Sequence, residues 1–150
     1  MNRLINNRGF TLIELIMTMV IVGILAVFVA PRLFDANTFK SRGFADQVQA
    51  SLRYAQKAAI AQNRIVCAAF TNNSVTLSIG ATVACGTPLQ SPTGDASYVI
   101  NAPSGIVFSA VPAAFSFDTL GKPSFAATQT LTVSGYATPI TVEAETGYVH

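Results

Sequence analysis

Two hydrophobic patterns and a change of texture divide the chain. Residues 15–31 run LIMTMVIVGILAVFVAP without a charge, and the apolar stretch begins at Phe10, interrupted by Glu14. The 22 residues from 10 to 31 would make roughly 33 Å of helix, enough to cross a hydrocarbon core of about 30 Å. A membrane-spanning helix is predicted there. Beyond Pro31, Phe44, Val48, Leu52, Ala55 and Ala59 recur at spacings of three and four, with Gln47, Gln49, Arg53, Lys57 and Gln62 mostly off that stripe. This predicts an amphipathic helical half over 32–64, packing one face on a globular head. From residue 65 onward, seven of the ten glycines and six of the seven prolines punctuate short Val, Thr, Ile and Phe runs. Strands are predicted at about 65–70, 75–79, 97–101, 106–109, 114–117, 130–133, 138–143 and 148–149. Hairpin turns are predicted at 71–74, 134–135 and 145–147. The fold class is therefore α+β, a long N-terminal helix packed on a small antiparallel β head. Its divisions are a leader at 1–9, a stem at 10–31, an amphipathic half at 32–64 and a head at 65–150.

Composition and charge sharpen this picture. Apolar residues make up 51% of the chain and charged residues only 11%, which excludes a disordered protein. The net charge of +2 hides a segregation. Residues 1–9 carry Arg3 and Arg8, residues 10–64 carry six basic against three acidic side chains, and residues 65–150 hold Lys122 against Asp95, Asp118, Glu143 and Glu145. A nucleic-acid role inferred from net basicity thus fails, because the head is acidic. The basic leader keeps the amino terminus cytoplasmic and puts the head on the far side of the membrane. A cleaved secretory signal fits less well, since its apolar region is shorter and ends in a small-residue site, whereas this one runs into Ala30-Pro31-Arg32.

Three residues in the stem stand out. Glu14 lies about 6 Å inside the apolar run, where an acidic side chain costs up to about 3 kcal/mol near a helix centre and less near its end. One reading has it reaching back to the interface. The other pairs it with a cation, and cutting after Gly9 would create an ammonium at Phe10, one turn before Glu14, suited to pairing between staggered helices. Pro31 removes a hydrogen bond to Val27 and predicts a hinge, unless it opens a second helix. Gly23 would let neighbouring stems approach, or is an accident. Further along, Arg53 and Lys57 read as a solvated face, or as a contact to an acidic neighbour.

The segment Arg8-Gly9-Phe10-Thr11-Leu12-Ile13-Glu14-Leu15 resembles the cleavage and methylation motif of type IV pilins and type II secretion pseudopilins. The resemblance implies that a prepilin peptidase cuts after Gly9 and N-methylates Phe10, and that Glu14 pairs with a neighbour's terminus during assembly. Pro31 also matches a proline common in such stems. Phe117-Asp118-Thr119-Leu120-Gly121 and Thr146-Gly147-Tyr148-Val149 resemble the head of GspH/FimT-type minor pilins. Ser41-Arg42-Gly43-Phe44 and Arg53-Tyr54-Ala55-Gln56-Lys57 resemble minor pilins of mannose-sensitive haemagglutinin (MSHA) pili. The partners implied are other pilin or pseudopilin subunits, the prepilin peptidase, inner-membrane lipid and assembly platform proteins. The implied location is a single-pass inner-membrane protein with a periplasmic head, later moved into a pilus or pseudopilus.

Cys67 and Cys85 fall in the head, on the oxidising side, which predicts a disulfide. Closing the 17 intervening residues would stabilise the head by about 3 kcal/mol on a chain-entropy estimate. A metal needs more ligands than the pair and His150 supply. No Ser-His-Asp or Cys-His set, phosphate loop or C-x-x-C occurs in the sequence, so neither an enzyme nor a cofactor is predicted. Three functions follow: a structural pilin-like subunit, a DNA-binding minor pilin, and a tethered periplasmic domain that never polymerises. The first is the leading expectation.

Overall fold

A computed structural model describes the backbone of residues 10–33 and 36–150 and the side chains of residues 10–26 and 37–150. The chain forms two compact units, Met1–Ala36 and Asn37–His150. The first unit contains helix α1 (Leu12–Leu33). Thr11 starts it, with its hydroxyl 3.3 Å and its carbonyl 3.1 Å from the Glu14 amide. That is an N-cap, satisfying a donor the first helical turn leaves unpaired. The span expected over 10–31 is represented only in part, because the described side chains of α1 stop at residue 26. Among the described residues no helix is long and apolar enough to cross a membrane. Pro31 falls within α1, and the next helix begins at Ala36. The leader, 1–9, lies outside the described residues.

The second unit is α+β, as the sequence predicts: helix α2 (Ala36–Gln62) packs on antiparallel sheets. Phe44, Val48, Leu52, Ala55 and Ala59, the whole predicted stripe, are buried, and Ala45 and Ala58 join them. Asn63 ends the helix in the left-handed region at φ 49°. The Arg64 amide returns to the Ala59 carbonyl and the Asn63 amide to Ile60, the pairing that satisfies the last free carbonyls of a helix.

The strands are β1 (Ile65–Phe70), β2 (Ser74–Gly80), β3 (Thr87–Pro88), β4 (Tyr98–Asn101), β5 (Phe115–Phe117), β6 (Gln129–Leu131) and β7 (Ile140–Val142). β1 and β2 form a hairpin registered from Ile65 opposite Gly80 to Phe70 opposite Val75. β5 adds to the free edge of β1, while β3 and β4 both pair with β2. β6 and β7 make a separate two-stranded sheet. The alternation of β1 and β2 buries Val66, Ala68, Val75, Leu77 and Ile79 in one core with the stripe of α2. Phe44, Phe108, Phe70 and Phe115 run through it with ring centres 5.3, 5.9 and 5.8 Å apart.

Three details differ from the sequence reading. Residues 106–109 and 148–149 keep the buried alternation of strands but pair only at single bridges, Phe108 with Val133 and Val149 with Val142. β3 was not foreseen: Gly86-Thr87-Pro88 reads as a turn, and proline is admitted here because this strand lies at an edge. Arg53 is not merely solvated, since its Nε donates to the Val149 carbonyl at 2.8 Å.

Candidate functional site

The sequence reading singles out Phe10 and Glu14 at the start of α1, and Thr11 lies between them. Thr11 sets the first turn, and Glu14 sits at the third helical position, where a carboxylate complements the positive end of the helix dipole. The Thr-x-x-Glu spacing is a capping signature that the sequence reading passed over. Thr18 bonds its hydroxyl back to the Leu15 carbonyl at 2.9 Å, hiding one of the few polar groups of the helix.

Beyond Thr18, the described part of the helix is apolar on all sides. Twelve large apolar side chains from Phe10 to Leu25 are between 47% and 77% exposed. Moving that many side chains out of water is worth on the order of 10–20 kcal/mol. A helix apolar on all sides is stable only where other apolar groups or lipid surround it. Among the described residues no side chain lies within 4 Å of where a Cβ on Gly23 would stand, so it is a notch on the described surface. Gly9 lies outside the described residues, as do the side chains at 27–33, Pro31 among them.

In the head, Cys67 of β1 and Cys85 are joined by a disulfide, with their Cα atoms 6.0 Å apart. Beside it lies a shallow groove of about 390 Å³ lined by Ala69, Ser78, Val83, Ala114, Phe115 and Ser116, among others. Its lining is uncharged and, apart from Phe115, small. Among the described residues no group of three or more His, Cys, Asp and Glu could hold a metal ion.

The head's carboxylates are engaged locally. Asp95 accepts from the Thr93 and Ser91 hydroxyls at 2.7 and 3.0 Å, and these bonds, Thr93 first, hold its carboxyl below the usual range. Glu143 meets His150 Nε2 at 3.2 Å and the Thr128 hydroxyl at 3.1 Å. The bond to His150, then that to Thr128, lowers its carboxyl likewise. Asp118 accepts from the Leu120 and Lys122 amides, and Glu145 meets Lys122 Nζ at 3.0 Å. These groups brace turns, and Asp118 with Lys122 also lines a cleft of about 170 Å³.

A feature the sequence reading missed is the polar fastening of α2 to the head. Ser41 donates to the Ser134 carbonyl at 2.7 Å, Tyr54 to that of Gln90 at 3.0 Å, and Gln56 Nε2 to those of Gly121 and Thr146 at 3.1 and 2.8 Å. Polar residues near an apolar stripe were its only signal. Gly121 and Gly147, at φ 82° and 66°, let this contact close, since a Cβ on Gly147 would strike the Gly121 carbonyl and Gln56.

No curated protein and no solved structure matches the chain. Residues 4–30 match the prokaryotic N-terminal methylation motif, a stretch that includes Gly9, Phe10, Glu14 and most of α1. The chain thus carries the amino-terminal motif of prepilin-type proteins, and this motif supports a pilin.

Proposed function

We propose that the protein is a minor pilin or pseudopilin of the GspH/FimT type, cut by the prepilin peptidase after Gly9, N-methylated at Phe10 and assembled through its apolar helix. The observation that carries this reading is the joining of the methylation motif at 4–30 to a helix whose apolar side chains are exposed all round. Before assembly, inner-membrane lipid covers that helix, the leader stays cytoplasmic and the head is periplasmic. In the filament neighbouring stems replace the lipid, platform proteins drive the exchange, and Glu14 pairs with the ammonium of a neighbour's Phe10. Pro31 supplies the hinge between the apolar and amphipathic halves. DNA binding is disfavoured by the head, whose lone Lys122 is engaged by Glu145. The test is Glu14→Ala in cells that make the filament. The variant should be processed and membrane-bound, yet its incorporation should fall at least about tenfold, as loss of a charge-assisted bond worth about 1.5–3 kcal/mol implies. Normal incorporation would overturn the pairing role.

A further inference from the structure

Loop 81–86 leaves β2 at Gly80 and returns at Thr87 to start β3. Among the described residues its one backbone hydrogen bond closes on itself, from the Cys85 amide to the Thr82 carbonyl at 3.2 Å. Its side chains give it no anchor either: Ala81, Thr82, Val83 and Ala84 are exposed, Val83 by 73%, and only Cys85 is buried. Cys85 is moreover in the left-handed region, at φ 38°, which a residue with a Cβ adopts only when its surroundings force it. At Gly80 the loop folds back so closely that a Cβ would lie 2.8 Å from the Cys85 Cα and 2.9 Å from the Thr82 carbonyl oxygen. What holds it down is the covalent bond to Cys67, whose sulfur lies 3.3 Å from the Val83 carbonyl oxygen. Cys67 points to the face of β1 opposite the buried Val66 and Ala68, so the bridge clasps the loop over the sheet surface that α2 does not cover.

We infer that the Cys67–Cys85 disulfide is a redox-sensitive clasp: its reduction frees loop 81–86 and removes the wall that Val83, Ala84 and Cys85 give the groove beside Ser78 and Ser116, while the core between α2 and the sheet stays folded. The reductant is a dithiol. One of its thiolates attacks one cysteine sulfur, breaking the S–S bond and releasing the other cysteine as a thiolate that takes a proton. Its second thiol then displaces the first cysteine, leaving both cysteines as thiols and the reductant as a cyclic disulfide. This differs from a disulfide that props up the core, because a freed loop regains in the native state part of the entropy that the bridge removes from the unfolded one.

The experiment is amide hydrogen exchange on the full chain in detergent micelles, with and without dithiothreitol, read by mass spectrometry. The Cys85 amide, the loop's one hydrogen-bonded amide, should exchange at least about tenfold faster after reduction, while those of β1 and β2 change by less than about twofold. Cys67→Ser/Cys85→Ser should behave like the reduced protein; should it fail to fold, reduction of the folded wild type is decisive by itself. Unchanged exchange of the Cys85 amide would overturn the inference, and so would acceleration of β1 and β2 along with it.

Discussion

At the residue scale, the telling positions are those where one atom more would not fit or one charge changes its partner. Gly147 combines φ 66° with backbone packing that leaves no room for a Cβ. Gly147→Ala should destabilise the head by at least about 2 kcal/mol, measured by urea unfolding; a change under about 0.5 kcal/mol would show that the turn yields. Glu143, like Asp95, makes a pH-dependent contact. Its carboxyl is lowered in the folded state by His150 and Thr128, so it stabilises the fold above its ordinary value of 4.5, and that contribution disappears as pH falls through the lower folded value. Glu143→Gln should therefore destabilise at neutral pH, with the difference from wild type shrinking as the medium is acidified below 4.5. A difference independent of pH would contradict this assignment. The role of Gly147 was legible only as a turn signal, because the close approach of Gly121 depends on a contact 26 residues away.

At the element scale, what could be read in the sequence was what rests on local period. The stripe Phe44, Val48, Leu52, Ala55 and Ala59 is buried throughout because a helix repeating every 3.6 residues brings these spacings to one face. Leu52, fully buried at its centre, gives the corresponding prediction: Leu52→Ala should cost about 2–5 kcal/mol in unfolding experiments. A cost below about 1 kcal/mol would mean that α2 does not anchor the core. The strand pattern was legible in part. Ile106 and Phe108 do face inward, yet their backbone pairs only at Phe108, since side-chain alternation reports burial and not whether a partner strand lies alongside. The clamps from Ser41, Arg53, Tyr54 and Gln56 reach carbonyls 36 to 96 residues distant, and a carbonyl carries no sequence signature. For this reason the packing of α2 was predicted but its fastening was not.

At the scale of the whole molecule, the two units answer different physical demands. The head meets its own: buried stripes, a disulfide and local partners for its carboxylates leave little unsatisfied. The apolar helix α1 does not, because its exposed surface requires lipid or other helices. Once residues 1–9 are removed, seven basic and seven acidic side chains remain, and the added positive charge is the amino terminus of Phe10. That terminus is what the proposed assembly depends on, and it exists only if the chain is cut where the motif implies. The mass of the amino-terminal peptide, taken from protein recovered from the membrane of cells that make the filament, tests this most directly. The account predicts a chain starting at Phe10, heavier by one methyl group; a chain that retains residues 1–9, or starts elsewhere, would contradict it.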